Sequence, residues 1–357
     1  MLINVLLLFL SLCLILLAAA LFTNGIEIFG HRLKVHQGAV GSVLAAVGTA
    51  MPETIIPIIA IILAAMNGGD GAKVAANHGF AIGGIVGAPL MLSTLAMLVT
   101  GLAVLIYAWR GMRPLAMTPD LPALNRDLTY FTLIYIVGIL VSLAPHVVNR
   151  ICGGQRPGLL LPLHVGAAIF LLAGYVCYLK RTFAGDSPQL DEPAGLYMAK
   201  WLGLKSSTAA GAAVQLLLSL AIMIFGARMF VGYMTEVATQ LHASVLVLSL
   251  ILTPIATELP EKFNSIIWIG RRKDALAIGN ITGALVFQGS FPVMFGILFT
   301  GWDLLADHHA ALVAAVIPLF AAATILLWVK LRKSLSPYLL IALGLLYGLF
   351  VLHVAIL

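Results

Sequence analysis

Long apolar runs, separated by short polar stretches, make up most of the chain. A helix needs about 20 apolar residues to cross the hydrocarbon core of a bilayer, and windows of that length recur throughout the sequence. Ten such windows lie near residues 3–29, 37–66, 76–108, 128–148, 159–179, 208–234, 240–268, 275–300, 308–329 and 336–356. The pattern therefore predicts an all-α membrane protein with ten transmembrane helices.

One polar stretch is longer than the others. Residues 180–207 are rich in Lys, Asp, Pro and Ser, and they separate five predicted spans from five. We therefore divide the chain into a first five-helix repeat at 1–180, a linker at 181–207 and a second five-helix repeat at 208–357.

Basic residues are concentrated in alternate loops. The loops after even-numbered spans hold three of them, Lys73, Arg150 and Arg156. The loops after odd-numbered spans hold fifteen: Arg32, Lys34, Arg110, Arg113, Arg126, Lys180, Arg181, Lys200, Lys205, Arg271, Arg272, Lys273, Lys330, Arg332 and Lys333. Because cytoplasmic loops carry an excess of Lys and Arg, we expect the linker in the cytoplasm and both termini outside the cell membrane. Five spans per half then make the two repeats inverted relative to each other.

Composition supports the membrane assignment. The 357 residues are 61% hydrophobic and 10% charged, whereas soluble domains carry about 25% charged residues. The net charge of +6 comes from the loop clusters that set orientation, so it does not indicate nucleic-acid binding.

Two similar motifs place carboxylates inside predicted spans, GTAMPE at 48–53 and ATELPE at 256–261. A charge near the membrane centre costs roughly 2.5–3.5 kcal/mol. Its recurrence in each half predicts one polar site built by both halves. Because proline has no N–H, Pro52 and Pro260 are expected to kink their helices and to leave a carbonyl unbonded one turn earlier. Each motif thus offers carboxylate and carbonyl oxygens together.

Other oxygen ligands accompany the two motif glutamates, Glu53 and Glu261. Glu258 lies three residues before Glu261, so both project from one helix face. Thr49 and Thr257 occupy matching motif positions. This set is made of oxygen ligands without histidine or cysteine, which favours a hard cation over zinc or copper.

The following span in each half carries glycines at four-residue spacing, Gly83 and Gly87 in the first half and Gly279 and Gly283 in the second. Such spacing lets helix backbones approach closely, so we expect spans 3 and 8 to pack against spans 2 and 7. Gln288 falls five residues after the last of these glycines and adds an amide ligand. Calcium takes six to eight oxygens, a number that these side chains and the freed carbonyls can supply.

Together these motifs resemble the cation/calcium exchanger superfamily, and the sodium/calcium exchanger group in particular. That group carries Gly-Thr-Ser-Leu-Pro-Glu on one helix and Gly-Ser-Asn on the next, in each of two inverted repeats. GTAMPE and ATELPE correspond to the first motif, and GAP at 87–89 and GAL at 283–285 to the second. The resemblance covers essentially the full chain.

The resemblance implies roles for individual residues. Glu53 and Glu261 match the central ion-binding glutamates. Thr49 and Thr257 match the motif threonines, and Gln288 falls where the group has an acidic or amide ligand. Several family serines and one amide ligand are replaced, by Ala50, Glu258, Ala88, Ala284 and Leu92. Fewer hydroxyl and amide ligands imply fewer or altered monovalent-ion sites.

The implied function is that of a secondary active cation antiporter, which exchanges calcium for sodium by alternating access. The short first and sixth spans are then expected to slide across a fixed bundle. A proton-coupled calcium or other divalent cation antiporter is the alternative, because polar ligands are lost while Glu258 is gained. An enzyme is not expected, since no nucleophile or histidine set accompanies the motifs. The expected partners are calcium, monovalent cations and the lipid bilayer, with no cofactor, nucleic acid or obligate protein partner.

Each candidate ligand also has a structural explanation. Glu53 and Glu261 could hydrogen-bond a kinked neighbouring helix, and Gln288 could bridge two helices. Glu258 could face an aqueous vestibule or pair with Lys262. The recurrence of the Pro-Glu motif in register favours ion binding for Glu53 and Glu261.

Overall fold

The computed structural model describes residues 1–32, 50–153, 157–183, 195–201, 208–305 and 309–356, and these are almost entirely helical. The helices are α1 (Leu2–Arg32), α2 (Met51–Met66), α3 (Gly71–Trp109, with a π-helical segment at Leu92–Ala96), α4 (Leu121–Ser142), α5 (Ala144–Cys152), α6 (Pro157–Phe183), α7 (Tyr197–Trp201), α8 (Ala209–Gln240), α9 (Val245–Thr257), α10 (Leu259–Gly270), α11 (Asp274–Gln288), α12 (Phe291–Phe299), α13 (Ala310–Arg332) and α14 (Pro337–Ile356).

Eight helical stretches in the described part of the chain are long and apolar enough to cross a membrane. Two further apolar helices, Met51–Met66 and Val245–Ile255, are shorter. The eight stretches coincide with all the predicted spans except the second and the seventh, which carry the Pro-Glu motifs. The all-helical membrane architecture predicted from the apolar runs is therefore confirmed.

Glycines on α3 allow this helix to pack closely against the backbone of α9. A Cβ atom added to Gly83 would lie 2.3 Å from the carbonyl oxygen of Leu246, and one added to Gly87 would lie 2.3 Å from that of Leu250. No other residue type fits at these positions without moving α9 away from α3. The carbonyl of Leu250, which Pro254 leaves without its helical partner, is thus packed against Gly87.

Helices α1 and α8 pack along each other through small residues. Gly226 of α8 receives Ile15 of α1, because a Cβ on this glycine would lie 3.0 Å from Ile15 Cγ1. Gly25 of α1 receives Leu216 of α8 in the same way, at 3.1 Å. The two helices have 31 and 32 residues, so the expectation of short first and sixth spans is wrong. Both are longer than the roughly 20 residues that a bilayer requires.

A buried amide pair attaches the short helix α7 to α1 and α8. Gln215 of α8 donates from Nε2 to the carbonyl of Leu21 at 2.8 Å and to Asn24 Oδ1 at 3.0 Å. The first backbone N–H groups of α7 are bonded by the same two amides: Tyr197 donates to Asn24 Oδ1 and Met198 to Gln215 Oε1. The unpaired donors at the start of a helix are in this way satisfied by two other helices.

A buried ion pair fastens the segment after α3 to the turn between α10 and α11. Arg113 donates to both carboxylate oxygens of Asp274, at 2.6 and 2.8 Å, and both side chains are almost fully buried. The guanidinium also donates to the carbonyls of Ile269, Pro114 and Ala116. Such a bidentate pair with its remaining donors satisfied fixes the relative position of the two segments.

Candidate functional site

Both Pro-Glu motifs start a helix in the same way. Pro52 and Pro260 lie in the first turn of α2 and α10, where a missing N–H has no cost. The residues that precede these helices have nearly the same backbone angles, φ −85° and ψ 6° at Ala50 and φ −91° and ψ 4° at Glu258. The seventh span, predicted as a kinked continuous helix, is instead divided at Glu258 into α9 and α10.

This shared start puts Glu53 and Glu261 at the same position, the third residue of their helices. Glu53 is buried, with 3% of its surface exposed. A carboxylate there is stabilised by the N-terminal end of the helix dipole. The side chain of Glu261 and all of Thr49 lie outside the described part of the chain. Their roles in the site therefore remain predictions.

Glu258 is paired with Lys262, one of the two alternatives that the sequence left open. Lys262 Nζ lies 3.0 Å from Glu258 Oε2 and also donates to the Glu258 carbonyl at 3.2 Å. The other carboxylate oxygen, Oε1, is buried and has no hydrogen-bond partner among the described residues. Gln288 lies close enough to this carboxylate to interact with it, and its own Oε1 is buried and likewise without a described partner.

Gln288 lies at a second helix break, between α11 and α12. It is the last residue of α11, and Ser290 and Pro292 start α12 after one intervening glycine. Leu92, the aligned residue of the first half, begins the π-helical segment of α3. Both helices therefore leave α-helical geometry at the same register, a deviation that often marks functional positions.

A row of buried hydroxyls leads along α9 to the motif, and the sequence analysis missed most of it. Thr257 donates to the carbonyl of Thr253 at 3.0 Å, and Ser249 donates to the carbonyl of Phe80 on α3 at 2.8 Å. These hydroxyls recur every four residues, at Ser249, Thr253 and Thr257. That spacing in the sequence could have predicted one polar face on this helix. Thr257 keeps its oxygen lone pairs free to accept.

Gly84 of α3 lies at the junction of the two motif helices. A Cβ atom on this glycine would lie 3.3 Å from Pro57 Cγ of α2 and 3.8 Å from Thr253 Cγ2 of α9. Pro57 is one turn after Glu53, and Thr253 is one turn before Thr257. The neighbouring turns of both motifs are thus packed on a single helix.

Other polar residues of these spans have structural partners. Thr282 donates to Asp127 of α4 at 2.7 Å, and Asp127 is also bonded by Arg126. Ser93 and Thr94 donate back to the carbonyl of Leu90 in the π-helical segment. These hydroxyls stabilise helix packing and the irregular turn instead of adding to the group around Glu258.

The described side chains contain no group of three or more His, Cys, Asp or Glu residues that could hold a metal ion. What they offer is a set of buried oxygen acceptors at helix breaks, on Glu53, Glu258, Thr257 and Gln288. Oxygens alone suit hard cations such as calcium or sodium.

Buried carboxylates at broken helices in a multispan bundle are features of ion transporters. The chain belongs to the sodium/calcium exchanger protein family, whose model matches residues 3–183 and 211–356. It is 25% identical over 279 residues to CaxA of Alkalimonas amylolytica, which is named as an antiporter. This match covers 78% of the chain and 75% of the relative.

Solved structures have the same fold. An H⁺/Ca²⁺ exchanger, CAX, superposes with a TM-score of 0.74 at 16% identity, covering 98% of this chain and 82% of the other. YfkE gives 0.66 at 16% identity, with 100% and 92% covered. The sodium-calcium exchanger NCX_Mj gives 0.55 at 18% identity, with 99% and 98% covered.

The predicted family is therefore confirmed. The protein is an antiporter-family, multi-pass membrane protein, and its family consists of transporters and not of enzymes. The counter-ion is not decided by the family, because its structural neighbours include a proton-coupled and a sodium-coupled exchanger.

Proposed function

We propose that the protein is a secondary active antiporter that exchanges calcium for sodium by alternating access. The observation that carries this proposal is the matched helix start: Glu53 and Glu261 are each the third residue of a helix that begins after the same backbone conformation. A carboxylate from each half at one kind of helix break is what a shared cation site requires.

The site would consist of Glu53 and Glu261 as central ligands, with Thr49, Thr257 and Gln288 adding oxygens and Glu258 beside them. Calcium or monovalent ions would bind to the same oxygens, never both loads together. This mutual exclusion couples the two fluxes, provided that the empty carrier crosses slowly. No resident cofactor is needed for such a cycle, and calcium and the monovalent cation are its substrates.

The architecture that we propose has ten spans in two inverted five-helix repeats, at 1–180 and 208–357, joined by a cytoplasmic linker at 181–207. In this architecture the eight long helices, together with α2 and α9–α10, would make the ten crossings. The distribution of basic residues supports outside termini and a cell-membrane location. The lipid bilayer is the expected environment, with no nucleic acid and no obligate protein partner.

Protons are the second candidate counter-ion. The aligned positions Ala50 and Leu92 leave the first half without the polar side chains that Glu258 and Gln288 supply in the second. Sodium needs several oxygens, whereas a proton needs a single carboxylate. This difference between the halves is the observation that supports the proton as the alternative counter-ion.

Transport by the purified full chain in proteoliposomes separates the candidates. Calcium uptake that an outward sodium gradient drives at fixed pH, and that a pH gradient does not drive, supports sodium exchange. The reverse pattern supports proton exchange. Empty liposomes and the Glu53→Gln variant are the controls, and calcium flux that neither gradient drives would contradict the antiporter proposal.

A further inference from the structure

Lys262 lies where a positive charge is doubly unfavourable. It is the fourth residue of α10, and the start of a helix carries partial positive charge. Its side chain is 7% exposed, and burial of an ammonium is costly unless the group is paired. Of the 20 Lys and Arg residues, Lys262 and Arg228 alone fall inside the predicted spans.

Glu258 holds this ammonium as it would hold a small cation. In the described part of the chain, both of its acceptors belong to Glu258, the carboxylate Oε2 at 3.0 Å and the backbone carbonyl at 3.2 Å. A carboxylate and a carbonyl at a helix break are the ligands that the motif offers to an ion.

The first half makes the same backbone contact without charge. Thr54, at the position aligned with Lys262, donates to the carbonyl of Ala50 at 3.0 Å. Ala50 is aligned with Glu258. The two halves therefore differ by a pair of opposite charges, whose sum is zero.

Two buried oxygens, one on Glu258 itself and one on the neighbouring Gln288, have no hydrogen-bond donor among the described residues. Glu258 Oε1 and Gln288 Oε1 are both without a described hydrogen-bond partner, on residues that are 1% and 2% exposed. An acceptor oxygen that is buried and unbonded is costly, and a cation satisfies it. Glu258 thus has one oxygen engaged by Lys262 and a second that is buried without a hydrogen-bond partner among the described residues.

We propose that Lys262 is a tethered counter-cation that neutralises Glu258 and holds the place of a monovalent ion beside it. This inference rests on the proposed function. The site then presents the charge of Glu53 and Glu261 alone, which one divalent cation balances. Glu258 contributes an oxygen but no net charge, so Lys262 is a specificity-determining residue.

Calcium titration calorimetry on the purified full chain tests this charge balance with four variants. Lys262→Met exposes a third negative charge and should tighten calcium binding by about tenfold or more. Glu258→Gln leaves the ammonium uncompensated and should weaken binding by about tenfold or more. Glu258→Gln with Lys262→Met restores the zero net charge of the pair and keeps a side-chain oxygen at position 258, so affinity should return close to wild type. Lys262→Arg keeps the cation and should change little.

Rescue by the double variant is the decisive result, and it remains measurable if Lys262→Met does not fold. A double variant as weak as Glu258→Gln would show that the Glu258 charge binds calcium directly and would overturn the proposal. Unchanged affinity in Lys262→Met, with lower thermal stability, would reduce Lys262 to a structural residue. Failure of the wild type to bind calcium would instead refute the exchange function itself.

Discussion

The two Pro-Glu helix starts have the same backbone and different chemistry. At Ala50 and at Glu258 the chain turns with nearly equal angles, and the side chain four residues later bonds the carbonyl. In the first half that side chain is the neutral Thr54, and in the second it is Lys262. A proline start and one side-chain bond to the carbonyl are therefore common to both helix starts, and the pair of charges is what the second half adds.

Substitution of the motif glutamates, which both helix starts share, should have the largest effect on calcium binding. Glu53→Gln and Glu261→Gln keep the side-chain shape and remove a carboxylate ligand, so each should weaken calcium binding on the order of 100-fold, given that loss of even indirect metal contacts costs 10–100-fold. Calorimetry and vesicle uptake measure this. Thermal stability in detergent should change little. Equal calcium affinity in the wild type and in both variants would refute the site.

The turns that follow the two motif helices differ in the burial of their aspartates. In the second half, Asp274 is buried against Arg113. Asp274→Asn should lower the free energy of unfolding by about 3 kcal/mol, because it leaves a buried guanidinium uncompensated. Thermal unfolding in detergent measures this effect. Arg113→Met with Asp274→Leu should recover most of the loss, and a double variant as unstable as the single one would contradict this explanation.

A substitution at the contact between α3 and α9 should have a smaller effect on stability. Gly87→Ala would bring a Cβ to 2.3 Å from the Leu250 carbonyl, and the separation that relieves this contact should cost about 1–3 kcal/mol. Transport should fall as well, since Gly84 next to it contacts the neighbours of both motifs. The control is Gly166→Ala on α6, where no described atom lies within 4 Å. That variant should be neutral or slightly stabilised, and equal losses in both would refute the packing argument.

A substitution in the turn after α2 should have the smallest effect on stability. Asp70 accepts from the backbone N–H of Lys73 at 3.2 Å, which lowers the pKa of this exposed carboxyl. A pKa below the unfolded value stabilises the fold at neutral pH, and the stabilisation is lost as the pH falls through the folded pKa. Asp70→Asn should therefore differ slightly from wild type at pH 7 and not at all in strong acid. Thermal unfolding against pH measures this, and a large effect at either pH would contradict it.

Local signals were sufficient to predict the class of fold. Apolar runs locate the spans because a bilayer fixes their length, and the duplicated Pro-Glu motif identifies the family. The break at Glu258 was predicted as a kink, since sequence alone does not say whether a helix bends at proline or stops and restarts. The pairing of Glu258 with Lys262 was one of two alternatives, because a four-residue spacing permits the contact without requiring it.

Contacts between distant residues could not be predicted. Arg113 and Asp274 are 161 residues apart, and Asp127 and Thr282 are 155 apart. Thr282 lies on the same helix as Gln288, and only the arrangement of α4 beside α11 assigns its hydroxyl to a structural bond. Hydroxyl groups in helices have several possible partners, and tertiary packing selects among them.

The amides of Asn24 and Gln215 have a mechanical consequence. Each is bonded to the other and to the start of α7, so one hydrogen-bonded pair joins α1 and α8 to the connecting segment between the halves. A displacement of α1 along α8 near Asn24 must break these hydrogen bonds or move α7 as well. Any sliding of α1 against α8 would therefore be coupled to the position of α7.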